Sequence, residues 1–262
     1  MKGIEEILIS LKNKEDDALK KAIKAFTSIL YTFQEKMKIG DVLGEIGDPR
    51  LFQPTDSQYW SKVELEYTSL LVGRFPVTTQ EWRSFIEGED YHNDDFWSAE
   101  GLEWKSKKKV SWLTLAQSPK VAEFIHPNQP VVGVSWYEAE AYANRHGARL
   151  PDCQERIDIV RGKERRVYPW GKSFGHGNSN TKEQGLNRPT AVGIFVHDRT
   201  PEDIYDLVGN VGEWTGEIYE GKARIHPGAW SHDMMSSWSK AFDSISPAAR
   251  LDDLGFRLVK DL

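Results

Sequence analysis

The composition and the hydrophobic periodicity of the chain change near residue 60, and this change constrains the fold more than any motif does. Residues 4–39 contain neither proline nor glycine, and their apolar side chains recur every three or four positions. That spacing is typical of amphipathic helices, so we expect an N-terminal extension of one or two helices within residues 1–50. Asp16 and Asp17 can open the second of these helices, and Gly40 can end it.

The apolar stripe of this extension is wide enough to need a partner surface. It comprises Ile4, Ile7, Leu8 and Leu11, followed by Leu19, Ala22, Ile23, Phe26, Ile29, Leu30, Phe33 and Met37. The stripe could dock on the body of the same chain, on a second copy or paralogue, or on another protein. Packing on the chain's own body is the simplest of these interpretations.

Residues 51–262 predict a separate α+β domain with few helices, short strands and long loops. All ten tryptophans lie after residue 59, and glycine, asparagine, serine and aspartate dominate the connections beyond Gly171. Residues 63–67 alternate between apolar and polar side chains as a half-buried strand does. Residues 131–134 form an apolar run that is typical of a buried strand.

Three helix starts in this domain can be placed from capping boxes. In a capping box, the N-cap side chain and a glutamate three residues later satisfy each other's backbone donors. The three pairs are Thr78 with Glu81, Ser135 with Glu138, and Asp152 with Glu155. We expect the second helix to stop at Gly147 and the third near Gly162.

Composition limits the function classes that this chain can belong to. It has 262 residues, with 34 Lys and Arg against 40 Asp and Glu, which gives a formal net charge of −6. We therefore expect no bulk attraction to nucleic acid or to anionic membranes. The longest apolar runs are far below the ~20 residues that span a bilayer, and no signal peptide is evident, so we expect a cytoplasmic protein.

No autonomous catalytic motif stands out in the sequence. It contains no P-loop, no dinucleotide-binding glycine motif and no HExxH pair. Ser135 is better explained as a helix cap than as the serine of a nucleophile elbow, because the closing glycine is missing. The seven histidines are scattered, and the single cysteine, Cys153, excludes an intrachain disulfide framework and is better explained as a buried apolar side chain.

Two loops are rich in the hard oxygen ligands that Ca²⁺ prefers. Residues 178–185 cluster asparagine, serine, threonine and glutamate side chains. Asp206 and Glu213 stand seven positions apart, separated by a glycine-containing bend that can aim backbone carbonyls inward. Turns use the same residue types, so composition by itself supports a calcium site only weakly.

Seven motifs follow one another along the domain. They are residues 74–78 (RFPVT), 130–139 (PVVGVSWYEA), 149–151 (RLP), 168–171 (YPWG), 205–214 (YDLVGNVGEW), 227–230 (PGAW) and 255–257 (GFR). Together they resemble the formylglycine-generating-enzyme family, also called the sulfatase-modifying-factor family, over residues 70–260. The resemblance implies a C-type-lectin-like fold for the domain.

The same resemblance implies two structural calcium sites. By motif, the first falls on Asn180 with the nearby Glu183 or Gln184, and the second falls on Asp206 and Glu213 with the carbonyls of Gly209 and Val211. The competing interpretation is that Asp206 and Glu213 only tie loops together by hydrogen bonds. Gly212 stands where this motif usually carries a bulky aromatic residue, so the local packing should differ.

The metal ligands of the family's oxidative chemistries are not matched in this chain. Family oxidases bind copper through two cysteines, and those positions fall on or near His232 and Ser237 here. Another branch of the family holds iron with three histidines, whereas the first 91 residues of this chain contain none. We therefore expect neither copper nor iron. The alternative is a metal-dependent oxidase of the same family with altered ligands, namely His232, Asp233 and His226.

Residues 231–254 line the surface cavity in the fold that the resemblance implies, and retroelement-diversified family members vary this segment. The candidate ligand-binding residues in it are His232, Asp233, Met234, Met235, Trp238, Phe242 and Asp243. Aromatic and methionine side chains beside charged groups suit a protein-binding patch. We therefore predict a non-catalytic domain that binds a protein or another ligand, such as the recognition component of a bacterial assembly. The competing interpretation is that the aromatic side chains fill core and the polar ones form a solvated loop.

Overall fold

The computed structural model describes residues 2–66, 68–108, 110–117, 119–238 and 240–262, and it mixes helices with short strands. The helices are α1 (Lys2–Lys12), α2 (Ala18–Thr27), α3 (Phe33–Ile46), α4 (Thr79–Ile86), α5 (Ala99–Lys107), α6 (Trp112–Ala116), α7 (Trp136–Arg145) and α8 (Cys153–Arg161). The strands are β1 (Trp60–Glu64), β2 (Ser69–Gly73), β3 (Gly212–Tyr219), β4 (Lys222–His226), β5 (Asp243–Ile245), β6 (Leu254–Gly255) and β7 (Val259–Asp261). This mixture confirms the predicted α+β class.

The described part of the N-terminal extension holds three helices, whereas the sequence predicted one or two. The helical structure is interrupted between α2 and α3 because Thr32 is the N-cap of α3. The Thr32 hydroxyl accepts a hydrogen bond from the Glu35 N–H at 3.2 Å, and the Glu35 carboxylate accepts one from the Thr32 N–H at 2.8 Å. The predicted helix end at Gly40 is wrong, because α3 continues to Ile46 and ends at Gly47, whose φ is 103°.

The apolar stripe of the extension docks on the body of the same chain. Its buried members, Ile4, Ile7, Leu11, Ala22 and Phe26, share one cluster with Ile39 and Leu43 of α3 and with Leu186, Ala191, Ile194 and Phe195 of the domain. Gly40 permits this close approach, since a Cβ there would lie 2.8 Å from Ile194 Cδ1. Asp41 on the same helix pairs with Arg188 of the domain. A partner of the extension would therefore have to bind outside the buried stripe, for example at the exposed Ile29 and Leu30.

The three predicted helix starts in the domain are confirmed. Thr78, Ser135 and Asp152 are the N-caps of α4, α7 and α8, and each forms the complete capping box with its glutamate. Helix α7 ends with His146 as its C-cap, and α8 ends at Gly162, as expected.

The strands form two sheets, with orders β1-β2-β7 and β5-β4-β3-β6. The antiparallel hairpin of β1 and β2 confirms a strand at residues 63–64, and Tyr67, the last residue of the predicted strand, lies outside the described residues. Residues 131–134 were predicted to form a buried strand. Val131, Val132 and Val134 are buried, but the segment does not pair as a strand. Its amides bond to single carbonyls of two different segments, Val131 N–H to Val77 O and Gly133 N–H to Leu251 O, so no ladder forms.

Aromatic side chains make the core of the domain and fix β3 at its centre. Trp82 of α4 contacts the rings of Phe85, Trp112, Tyr142 and Phe256. Trp214 of β3 is fully buried and donates its indole N–H to Val134 O at 3.0 Å. Strand β3 therefore carries the neighbouring Glu213 into the protein interior. None of the described helices combines the length and apolar character that crossing a membrane requires.

Candidate functional site

A buried ion-pair network surrounds Glu213, one of the predicted calcium ligands. Arg156 of α8 donates its Nε–H to Glu213 Oε2 at 2.8 Å. Arg257 donates to Glu213 Oε1 from Nε at 2.8 Å and from Nη2 at 2.7 Å. All three side chains are at most 1% exposed. Burial by itself would raise the pKa of Glu213, but the two guanidinium groups outweigh it and lower this pKa to about 2.

The two arginines extend the network to the loop before β3. Arg257 Nη2 donates to the carbonyls of Tyr205 and Asp206 at 2.8 and 3.1 Å, and Arg156 donates to the carbonyl of Leu207. A buried carboxylate between two guanidinium groups thus fixes three consecutive carbonyls of this loop. Arg257 belongs to the GFR motif, whereas no feature of the sequence pointed to Arg156.

Asp206 and Asp198 are buried carboxylates that cap backbone amides in the same region. Asp206 Oδ2 accepts the Gly193 N–H at 2.8 Å, and the Asp198 carboxylate accepts the amides of residues 207–209 at 3.1 to 3.3 Å. Burial and then the nearby Asp198 charge raise the pKa of Asp206 to about 7. Burial raises the pKa of Asp198 to about 6.

Three of the four predicted ligands of the second calcium site are engaged with protein groups, namely Glu213, Asp206 and the Gly209 carbonyl. Both oxygens of Glu213 accept arginine donors, Asp206 accepts a backbone amide, and the Gly209 carbonyl accepts the Val211 N–H at 3.0 Å. A divalent cation on Glu213 would also stand beside two guanidinium groups. Glu213 therefore does not fit as a calcium ligand in this arrangement, and these residues connect the loops as the competing interpretation expected.

The first predicted calcium site has a different local chemistry. Asn180 donates its side-chain amide to Arg188 O at 3.0 Å and to Asn210 Oδ1 at 3.3 Å. Its own Oδ1 is buried without a hydrogen-bond partner among the described residues, as is the Ser179 hydroxyl. Glu183 lies on the surface and accepts the Met234 N–H at 2.9 Å, which joins this loop to the 231–254 segment.

Across the residues that the structure describes, no three or more His, Cys, Asp or Glu side chains are arranged to hold a metal ion. Cys153 is buried, and burial raises its pKa to about 12, so it is an apolar filler rather than a thiolate. A calcium site at the Asn180 loop would therefore need amide, hydroxyl and carbonyl oxygens in addition to any carboxylate.

The predicted surface segment presents two apolar side chains to solvent. Met235 is 69% exposed and Trp238 is 44% exposed. The loop that carries them is anchored to the protein interior. The fully buried His226 contacts Trp238 O through Nε2 at 3.1 Å, and Ser237 is fully buried. Both His226 ring nitrogens are engaged, since Nδ1 accepts the Gly228 N–H at 3.4 Å. Burial lowers the pKa of His226 to about 3, so the ring is neutral.

The other candidate residues of this segment divide between structural and exposed positions. Asp233 accepts the N–H groups of Met235 and Ser236 at 3.1 and 3.2 Å and so stabilises the turn at the tip of the loop. Phe242 packs against His226 with ring centroids 5.8 Å apart, while Asp243 is exposed at the start of β5. Phe242 is therefore partly a packing residue, as the competing interpretation expected for some aromatic side chains.

His232 lies in a small polar cluster that the sequence did not reveal. Its Nδ1 is 2.9 Å from Ser231 Oγ and 3.6 Å from Asp253 Oδ2, and Ser231 donates to that same carboxylate oxygen. The serine thus bonds to the carboxylate and to the same imidazole nitrogen. In a catalytic triad, by contrast, the imidazole lies between the carboxylate and the serine.

Comparison with known proteins identifies the scaffold. The model of the sulfatase-modifying factor enzyme 1-like domain matches residues 47–262. The chain belongs to this family. The structure of PvdO from Pseudomonas aeruginosa is similar with a TM-score of 0.55 and 21% identity, over 74% of this chain and 81% of that one, which shows a shared fold. The predicted family and its formylglycine-generating-enzyme-type, C-type-lectin-like fold are thereby confirmed.

Curated relatives include both enzymes and an inactive member. A hercynine oxygenase from Mycolicibacterium thermoresistibile is 30% identical in an alignment 206 residues long that covers 68% of this chain but only 46% of that protein. An inactive C-alpha-formylglycine-generating enzyme 2 from Bos taurus is 28% identical over 231 residues, covering 70% of this chain and 74% of that protein. The chain therefore spans less than half of the oxygenase that it matches.

Proposed function

We propose that this sulfatase-modifying-factor-type chain is a non-catalytic binding module whose 231–254 surface takes a protein partner. The observation that carries the proposal is the pair of exposed apolar side chains, Met235 and Trp238, on a loop with a rigid base. A large exposed aromatic side chain gains most when a partner covers it, and tryptophan is enriched among the residues that dominate binding energy. The fixed base lowers the entropic cost of binding.

Polar and acidic groups in the same segment as the two apolar side chains fit a protein partner. His232, Asp233 and Asp243 lie in the same segment, and the side chain of His232 is 44% exposed. An apolar centre with a polar rim is the usual anatomy of a protein–protein interface. The imidazole of His232 and the carboxylates of Asp233 and Asp243 are the polar groups of this segment. They favour a partner whose hydrogen-bond donors face the carboxylates.

The residue types at the family's copper positions support a binding role over oxidation. Position 232 is a histidine and position 237 a serine, whose hydroxyl donates to Asp233 O at 3.4 Å and is a poor ligand for Cu(I). His226, which could have supplied a further nitrogen, has both ring nitrogens engaged inside the protein. The similarity to an inactive formylglycine-generating enzyme is compatible with such a loss.

Trp238→Ala tests the binding role, with Tyr219→Ala as the matched control. Tyr219 is 66% exposed at the end of β3, outside the 231–254 segment. Partners co-purifying with the tagged chain from its native cells would be identified, purified and titrated against each variant. We expect Trp238→Ala to weaken binding by tenfold or more, at about 1.4 kcal/mol per tenfold, and Tyr219→Ala to leave it unchanged. Equal affinity of both variants would refute the assigned surface.

We also propose that the Asn180 loop holds one calcium ion. Support comes from the buried, unpartnered Oδ1 of Asn180, since a buried acceptor without a partner is costly and a cation would satisfy it. Glu183 at the same loop could supply a carboxylate, although it now accepts the Met234 N–H. Such an ion would brace the base of the 231–254 surface rather than take part in chemistry.

A further inference from the structure

A cleft of about 480 Å³ lies between helix α2 and the domain, away from the 231–254 surface. Its walls include the rings of Phe26, Phe75 and Tyr205 and three arginines, Arg50, Arg74 and Arg199. No aspartate or glutamate is among the described residues that line it. Since apolar walls surround several convergent cationic groups, the cleft has the make-up of a small-molecule site.

The arginines are only partly neutralised by the carboxylates behind them. Arg50 has a partner of its own, because Asp48 Oδ2 lies 2.6 Å from its Nη2. Among the described residues, Arg74 and Arg199 share a single carboxylate, Asp203, at 3.9 and 3.0 Å. One positive charge of that pair is therefore left over. Asp206 is also near enough to Arg50 for their charges to interact, so the surplus charge lies at Arg74 and Arg199 rather than at Arg50.

Arg74 also has hydrogen-bonding capacity to spare. Its Nε–H is buried and lacks a hydrogen-bond partner among the described residues. The backbone of Arg74 is held on both sides, by its N–H donating to Tyr59 O at 3.0 Å and by its carbonyl accepting the Tyr205 N–H at 2.8 Å. The backbone of Arg74 is therefore held in place, while its guanidinium group still has a donor without a hydrogen-bond partner among the described residues.

Aromatic rings line the same cleft and set its shape. Phe75 and Tyr205 lie with ring centroids 5.1 Å apart, and the guanidinium of Arg199 stacks 5.7 Å from the Tyr205 centroid. The Arg50 guanidinium lies 4.8 Å from the Phe26 centroid, which joins α2 to the segment that leads into the domain. Flat apolar surfaces beside guanidinium groups suit a ligand with both a ring and an anionic group.

We infer that this cleft binds a small organic anion, with a phosphate or carboxylate group at Arg74 and Arg199 and an apolar or aromatic body against Phe75 and Phe26. The anion pairs with the exposed part of the Arg74 guanidinium, whose side chain is 29% exposed, and neutralises the surplus charge of the arginine pair. The ring lies along the wall that α2 contributes, so the ligand bridges the helical extension and the domain. This site is independent of the proposed protein-binding surface.

Phenyl phosphate is the probe that combines both ligand features, and calorimetric titration of the full chain measures its binding. We expect it to bind at least about tenfold more tightly than inorganic phosphate, because the ring buries apolar surface. Benzyl alcohol, which lacks the anion, should bind still more weakly than phenyl phosphate. Benzoate in a parallel titration decides whether a carboxylate serves as well as a phosphate. Hydrogen exchange of the α2 amides should slow in the phenyl phosphate complex.

Arg199→Gln is the variant of choice, since the Arg199 side chain is 48% exposed and its loss should not disturb folding. Arg83→Gln is the matched control, because Arg83 likewise has an i+4 carboxylate, Glu87 at 3.4 Å, and an aromatic ring, Trp112 at 5.6 Å, but lies outside the cleft. Arg199→Gln should weaken binding about tenfold or more, and Arg83→Gln should not.

Three results would overturn this inference. They are no binding of phenyl phosphate, a loss of affinity in Arg199→Gln that is no greater than in Arg83→Gln, and inorganic phosphate binding as tightly as phenyl phosphate. Trp238→Ala should leave phenyl phosphate binding unchanged, which keeps this test separate from that of the protein-binding surface.

Discussion

The carboxylate of Glu213 and the guanidinium of Arg257 form a buried ion pair in which Oε1 accepts two hydrogen bonds, at 2.8 and 2.7 Å. Arg156 completes the arrangement from the other side, and Arg257 also holds the carbonyls of residues 205 and 206. The motif residue that the family resemblance assigned to calcium thus serves as the centre of an internal network. Its two arginine partners fix the loop before β3 by donating to the carbonyls of residues 205–207.

Replacing Glu213 with glutamine should strongly destabilise the fold. Glu213→Gln keeps the shape of the side chain but leaves two buried guanidinium groups without a counter-charge. Breaking a buried pair in this way typically costs about 3–5 kcal/mol of unfolding free energy. Urea denaturation measures it, with the exposed Glu220→Gln in the β3–β4 turn as the control. A loss of less than about 1 kcal/mol would contradict a central role for Glu213.

Asp206 should make the free energy of unfolding decrease as the pH rises from about 4 to 7. Its folded pKa of about 7 lies above the ordinary value of 3.8, so the folded state keeps a proton that the unfolded state releases in this range. Asp206→Asn removes this dependence while an amide oxygen can still accept the Gly193 N–H. The variant should therefore gain stability over the parent as pH rises, by up to about 4 kcal/mol at 1.4 kcal/mol per pKa unit.

Denaturation at a series of pH values measures this effect, and Asp252→Asn in an exposed loop controls for the substitution itself. A stability difference between Asp206→Asn and the parent that does not change between pH 4 and 7 would show that Asp206 is ionised throughout.

Gly40 should tolerate no side chain, although it lies in the middle of α3. Replacing a helical glycine by alanine ordinarily stabilises a helix by about 0.5–1 kcal/mol. Here the new Cβ would lie 2.8 Å from Ile194 Cδ1 and 2.9 Å from Ala191 Cβ. We expect Gly40→Ala to destabilise the protein by about 1–3 kcal/mol through overpacking. Lys38→Ala on the exposed face of α3 is the control, and a stabilised Gly40→Ala would mean that α3 is not docked in solution.

Calcium should stabilise the chain through the Asn180 loop. Adding calcium after chelation should raise the melting temperature, because a ligand at about 100 times its Kd adds ~2.7 kcal/mol of stability. Asn180→Ala should abolish this rise, and Glu183→Gln should reduce it. Magnesium, which demands tighter octahedral geometry, should have a smaller effect. An unchanged response in Asn180→Ala would place any calcium elsewhere, and no response in the parent would remove the proposed site.

Local sequence signals predicted the parts of the fold that local hydrogen bonds decide. The capping boxes at Thr78, Ser135 and Asp152 act within four residues, and all three helices begin where expected. The end of α3 was missed because Gly40 serves a contact with Ile194, more than 150 positions away, rather than a helix stop.

Partners that are distant in sequence explain the remaining errors at the candidate sites. The two arginines that engage Glu213 come from 57 positions before it and 44 positions after it, so no spacing rule reveals them. The cleft with Arg50, Arg74 and Arg199 likewise combines segments from α2, the end of β2 and the loops before β3. Only the tertiary structure brings these groups together.

A peptide oxidation assay tests the non-catalytic assignment most directly. The purified full chain would be loaded with Cu(I) or with Fe(II), supplied with oxygen and a cysteine-containing peptide, and analysed by mass spectrometry for conversion of the thiol to an aldehyde. We predict that the peptide is recovered unchanged with either metal. An aldehyde product that disappears in His232→Ala would contradict the assignment and establish the chain as an enzyme with altered ligands.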